Sequence, residues 1–211
     1  QITVDKTMLT GCSGMRTIKI TGAAATVNYE TGNQPWNSVI GIITKVEFAT
    51  TVKRVPNYAF EGAVGLTSSS SITWGGITSI GNYAFKGCKG ITGTLTIPDK
   101  ITTLGTNSFE GCSGLTGLSL GTGLTDIPNS AFKGCSGLTS ISFPSNIKTI
   151  GDNSFNGCSK LGSITFNESV TNIGSYAFYQ CTSLTSVTIP GSVSSIGADA
   201  FSQITNLGTI I

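Results

Sequence analysis

The reactive side chains of this sequence are few, and its six cysteines are the ones with a pattern. Cys88, Cys112, Cys135, Cys158 and Cys181 follow one another at steps of 24, 23, 23 and 23 residues, with Cys12 as an outlier. Thiols so placed could pair as disulfides, hold zinc or act as nucleophiles. Zinc needs four ligands converging tetrahedrally, which a one-dimensional row does not offer, and the 211 residues include no histidine. The same lack removes the usual base of nucleophilic hydrolysis. The acidic residues recur singly, as at Asp99, Asp126, Asp152, Glu168 and Asp199, with no convergent carboxylate pair. A phosphate-binding Gly-x-x-x-x-Gly-Lys-Ser/Thr run and a zinc helix motif are both absent. The inventory predicts no enzyme, no cofactor and no metal. Ala63, and Ile40 by the same reading, stand where other repeats place cysteine. A position that takes Cys, Ala or Ile is a buried apolar site, where a free thiol acts as a small hydrophobe. Free buried thiols are therefore expected, not a disulfide ladder.

What positions those thiols is a repeat. Phenylalanines fall at 60, 85, 109, 132, 155, 178 and 201, and a fixed period in this range marks a solenoid. From Ile147 the apolar residues run Ile150, Phe155, Cys158, Leu161, Ile164 and Phe166, and the next coil repeats the steps from Val170 to Ile189. A single unit cannot bury its apolar side alone, but stacked units make one continuous core. The alternating end of each unit, as in Leu161-x-x-Ile164-x-Phe166, reads as a strand with one buried face. The Phe-x-Gly-Cys segment has room for a single helical or 3₁₀ turn.

Taken in order, the first coil runs from Met8 to Met15 into the strand Thr17-Ile18-Lys19-Ile20, with Leu9 in the phenylalanine slot and Cys12 in the cysteine slot. Residues 21–35 leave the period and read as an atypical N-terminal insertion. Ser68-Ser69-Ser70-Ser71 is extra and reads as a bulge at the sheet edge, with one more extra residue near Gly93. The expectation is one domain over residues 1–211 with about nine strand-bearing coils, the last at Leu207 to Ile211. The start at Gln1 and the unfinished last strand suggest a segment of a longer chain. Charged residues are only 10% of the total and the net charge is +2, so bulk electrostatics give no case for nucleic acid or a membrane surface. No apolar run reaches the length of a membrane span.

At residues 170–190 the pattern Ile-x-x-Ile-Gly-x-x-Ala-Phe-x-x-Cys-x-x-Leu-x-x-Val-x-Ile-Pro, here opening with Val170, resembles the BspA-type leucine-rich repeat. The resemblance covers essentially the whole chain. It implies a leucine-rich-repeat solenoid of about 23-residue coils, with a parallel β-sheet on one face and short strands, turns, or 3₁₀ or helical turns on the other. It also implies a secreted or cell-surface location and adhesion to host or neighbouring-cell proteins. No catalytic motif comes with it.

Residues between the inward strand positions should form parallel rows on the exposed, concave face. They are Lys45 and Glu47, Thr94 and Thr96, Gly117 and Ser119, Ser140 and Ser142, Ser163 and Thr165, and Ser186 and Thr188. Small hydroxyls on a long rigid surface suit an extended protein or glycan, although Ser and Thr also simply suit exposed strand positions. No aromatic residue joins the row after Trp74, which weakens the glycan reading. Tyr58, Tyr83 and Tyr176 share one slot and are candidate interaction residues, or covers for the turn beside the phenylalanines. Trp36 and Trp74 fall at core positions. Asn167-Glu168-Ser169 is a formal glycosylation acceptor. The leading expectation is a surface binding module for a host or bacterial surface protein. The alternatives are a structural spacer and a glycan-binding module.

Overall fold

The computed structural model describes residues 9–21 and 28–211. Met8 and residues 22–27, part of the expected insertion, lie outside them. Each coil contributes one strand to a first parallel row. These are β1 Thr17–Ile20, β2 Lys45–Phe48, β4 Ile72–Thr73, β6 Gly93–Thr96, β7 Leu115–Ser119, β9 Ser140–Ser142, β11 Ser163–Thr165, β13 Ser186–Val187 and β15 Thr209–Ile210. A second row of two-residue strands runs beside it: β3 Arg54–Val55, β5 Ser79–Ile80, β8 Asp126–Ile127, β10 Thr149–Ile150, β12 Asn172–Ile173 and β14 Ser195–Ile196. All recorded pairings are parallel and join neighbouring coils, as Ile141 with Ile164 and Ile150 with Ile173. Alternation is strict in β9, where Ile141 is buried between exposed Ser140 and Ser142.

Between the rows the phenylalanines stack. Phe60, Phe85, Phe109, Phe132, Phe155, Phe178 and Phe201 form successive pairs 5.3–5.6 Å apart with near-parallel rings. Trp36 adds a first rung, 5.3 Å from Phe60. Rings from the first strand row, Phe48, Trp74, Phe143 and Phe166, meet the ladder edge-on. Offset stacking and edge contacts of this kind add to the area buried. Trp36 is core as expected, whereas Trp74 is only half-buried.

The segment around each phenylalanine is a pair of tight turns. Its first left-handed residue is Tyr58, Tyr83, Asn107, Ser130, Asn153, Tyr176 or Asp199, all with φ between 56° and 58°. Four residues later comes a second, Gly62, Gly87, Gly111, Gly134 or Gly157, with Gln180 and Gln203 taking the slot in the last coils. The two reversals prevent a helix. In the second coil a 3₁₀ helix, Asn37–Ile42, directly follows the ring. Freed from helical bonding, alternate N–H groups reach the next coil: Phe132 N–H donates to Ser154 O at 2.9 Å and Gly134 N–H to Asn156 O at 2.7 Å. Every such bond in this turn row points from a coil to its successor. At the start of the row, Tyr29 N–H donates to Asn57 O (3.3 Å), Gln34 Nε2 to Tyr58 O, and Trp36 Nε1 to Ala59 O (2.6 Å). The bonds to Asn57 O and Ala59 O stand where later coils receive the N–H groups of the turn before them, while Tyr58 O also accepts from Glu61 N–H in its own turn.

Two details depart from the sequence reading. Val39, not Ile40, takes the cysteine slot of the second coil: it lies three residues after Trp36, donates its N–H to Trp36 O at 3.0 Å and is buried, while Ile40 is half-exposed. The serine insertion is not a bulge but a 3₁₀ helix, Ser69–Ser71, whose start is capped by Ser68 Oγ accepting from Ser70 N–H at 3.2 Å. It parts the first row into β1-β2-β4 and the strands from β6 onward. The extra residue at Gly93, φ +78°, is taken up as a register shift between β6 and β7. Close stacking also explains the Ile-Gly pairs that end the second-row strands: a Cβ at Gly174 would lie 2.6 Å from Asp152 N.

Candidate binding surface

The parallel register sets the predicted face residues side by side. Thr94 and Thr96 oppose Gly117 and Ser119, Ser140 and Ser142 oppose Ser163 and Thr165, and Ser186 opposes Thr209. Thr188 follows at the end of β13. All these hydroxyl side chains are exposed. Backbone bonds such as Thr139 N–H to Thr116 O (3.2 Å) carry the row across from β7 to β9. From β6 to β13 the outward strand positions hold only Ser, Thr and Gly. Strand propensity accounts for these residue types, and the register makes them a regular lattice.

Lys45 and Glu47 stand apart, on the N-terminal piece of the row. They form an ion pair of 2.6 Å on β2, with Lys19 in register with Glu47. The hydrogen bond from Lys45, then its charge and that of Lys19, hold the Glu47 carboxyl below the usual range. The pair is exposed to solvent, so it adds little to stability. The structure thus divides the expected surface into a charged N-terminal patch and an uncharged hydroxyl field.

The tyrosines occupy the turn side, away from both patches. Tyr58 and Tyr83 stack 4.7 Å apart and are half-buried, while Tyr176 is exposed and meets Tyr179 edge-on at 5.5 Å. Beside the first pair lies a cluster that sequence reasoning did not pick out. Lys86 Nζ sits 5.3 Å over the Tyr83 ring and pairs with Glu110 at 3.2 Å, whose carboxylate also accepts from Asn107 Nδ2 at 2.8 Å. The signal was present in the slot three residues after each tyrosine position, which alternates in sign through Glu61, Lys86, Glu110 and Lys133.

All six cysteines are free, as expected. Cys88, Cys112, Cys135, Cys158 and Cys181 are fully buried, and each Sγ donates to the carbonyl of the preceding coil's phenylalanine at 3.1–3.4 Å. Desolvation pushes the Cys112, Cys135 and Cys158 thiols well up and the Cys181 thiol to about 12. Cys12 keeps the local turn, with its N–H on Leu9 O at 3.0 Å, but is exposed. Among the described residues no three Cys, Asp or Glu side chains gather as a metal site. None of their helices is long and apolar enough to cross a membrane. At the glycosylation triplet, Asn167 Nδ2 is turned inward, donating to Pro144 O (2.5 Å) and Ile147 O (3.1 Å).

Coils of this length, stacked in parallel around a ring ladder with a strand row on one face, define a leucine-rich-repeat solenoid. Within that class the chain belongs to the BspA type leucine rich repeat family, whose pattern matches it in six copies over residues 30–142 and 125–211. Solved structures agree on the fold. A leucine-rich repeat protein from Bacteroides ovatus superposes with a TM-score of 0.67 at 24% identity, over 92% of this chain and 57% of its own. One from Eubacterium ventriosum gives 0.67 at 30% identity, over 79% and 43%. The leucine rich repeat protein of T. pallidum gives 0.58 at 25% identity, over 92% and 73%. The chain therefore spans about half the length of the first two. No curated protein matches it.

Proposed function

We propose that the chain is a single repeat domain acting as the binding module of a secreted or surface-anchored protein, and that it takes a host or neighbouring-cell protein along the outer face of the first strand row. The observation that carries this reading is the uncharged hydroxyl lattice from β6 to β13. It is exposed, in register and held flat by a continuous core, and a rigid extended surface is how solenoids generally bind partners. A partner seated there meets no fixed charge, so its binding should depend weakly on salt. Glycan binding draws less support, because no aromatic ring stands among those outward positions. A spacer role is favoured by one feature, the unbroken Phe60–Phe201 ladder, which stiffens the chain along its axis.

The test is a binding assay against immobilised matrix proteins and intact cells. Arginine at Ser142 and Thr165 should abolish binding, while arginine at the turn-side Ser113 should leave it intact. Equal binding by all three proteins, or loss with Ser113→Arg alone, would remove the strand face from consideration. Absence of binding to any surface by the unsubstituted chain would leave the spacer as the better reading.

A further inference from the structure

The five stacked thiols take no part in the proposed binding, and their arrangement has a chemical consequence of its own. Each is wholly enclosed and donates to a phenylalanine carbonyl one coil back. The slot they share is filled elsewhere by Ala63 and Val39. It accepts apolar side chains from alanine to, in the last coil, Ile204, and has no room for a sulfur carrying an adduct. Thiolate is the species that attacks disulfides. A stacked coil offers neither access nor thiolate, since burial raises these thiols. A coil that opens to water regains both.

We propose that the cysteine ladder makes coil stacking redox-sensitive, with a low-molecular-weight disulfide capturing the thiols of opened coils and holding them unstacked until a free thiol releases them. In the capture step the protein thiolate attacks one sulfur of R–S–S–R. A protein–S–S–R bond forms, the R–S–S–R bond breaks, and RS⁻ leaves, taking up the proton the protein thiol had lost. The protein sulfur is oxidised and the departing half of the reagent is reduced. A second ladder thiol in the same opened stretch can then displace the remaining RSH, leaving a disulfide within the chain. Excess RSH reverses both steps. Each captured coil withdraws its phenylalanine from the ladder, and because coils stabilise their neighbours, capture at one loosens the next. Cys12 is exposed already and stands outside this coupling.

The experiment uses the 211-residue chain carrying Cys12→Ser, incubated with oxidised glutathione over a range of concentrations. Mass spectrometry counts adducts, and far-ultraviolet circular dichroism follows the β-sheet. The expected result is a loss of sheet signal in step with adduct number, at a rate that levels off at high disulfide as coil opening becomes limiting. Reduced glutathione should restore the signal. A chain with alanine at all five ladder positions should keep its signal throughout. Should that variant not fold, the order of events in the Cys12→Ser chain decides: signal loss ahead of adduct formation refutes capture, and loss that needs disulfide and reverses with thiol supports it. Five adducts on a chain with full sheet signal would overturn the proposal. So would a lack of adducts under conditions where amide hydrogen exchange shows the coils opening.

Discussion

Replacing Phe155 by alanine removes an inner rung of the aromatic ladder, and the structure gives the size of the loss. The ring is fully buried and touches three others: Phe132 at 5.5 Å, Phe178 at 5.4 Å, and Phe143 edge-on at 5.7 Å. A buried Phe→Ala change costs roughly 3–5 kcal/mol through lost transfer energy and the cavity left behind. Aromatic pairs add about 0.5–1.5 kcal/mol each beyond their area, which places Phe155 near the upper end of that range. Phe201 is the internal control. It is half-exposed and stacks on Phe178 alone, at 5.3 Å, so Phe201→Ala should cost about half as much. Phe155→Leu keeps most of the volume but loses the three ring contacts, so it should cost about 1.5–3 kcal/mol, less than Phe155→Ala. Urea unfolding followed by circular dichroism ranks the three variants. Equal losses at Phe155 and Phe201 would refute the argument that each rung is stabilised by neighbours on both sides.

Other outcomes follow from single contacts. Trp36→Phe keeps the first rung but removes the indole N–H from Ala59 O, and leaving that buried carbonyl unpaired should cost about 1–3 kcal/mol in the same urea assay. Ser154→Ala should leave stability unchanged or raise it by about 1 kcal/mol, because the Ser154 hydroxyl is buried without a partner; a marked loss would show that the hydroxyl is bonded. Ser130→Gly should raise the melting temperature slightly, since a non-glycine residue held at φ 56° carries about 1 kcal/mol of strain. The Glu47 carboxyl should titrate below an ordinary glutamate by NMR, and Lys45→Met should move it upward. The sign follows from a depressed folded-state value: the contribution of the pair is present above the unfolded pKa and is lost as pH falls through the folded one.

The ladder was legible in the sequence because one large residue type recurs at nearly constant steps, and burying it admits little variation. The hydroxyl rows were legible for a related reason, since strand alternation assigns every second residue to the outside. The second coil was misaligned by one residue because Val39 and Ile40 are adjacent and both apolar. Only the Val39 N–H to Trp36 O bond shows which one closes the turn. The tyrosine slot hid its backbone role. Asn and Asp at Asn107, Asn153 and Asp199 are residues that tolerate left-handed φ, but the tyrosines in the same slot drew attention to their rings. The Lys86–Glu110 cluster escaped because its members lie 24 residues apart and meet only when coils stack.

The one-way direction of its hydrogen bonds gives the turn row, unlike the strand rows beside it, where donors such as Gly151 N–H and Gly174 N–H point back to the preceding coil, an electrical axis of its own. Three peptide N–H groups in each of six coils, eighteen in all, point toward the C-terminal coils, and aligned peptide dipoles of about 3.5 D add along a row as they do in a helix. The sense is opposite to that of an α-helix: the carbonyl, negative pole lies at the N-terminal end. Arg16, Lys19, Lys45, Lys53 and Arg54 gather toward that end, and Arg54 donates to Asn57 Oδ1 at the start of the turn row at 3.1 Å. Asp199 lies in the coil at the positive pole. A scatter of surface charge with a net of only +2 thus acquires an order along this one row: cations gather toward the end where its carbonyls point, and their gradient opposes the row's field.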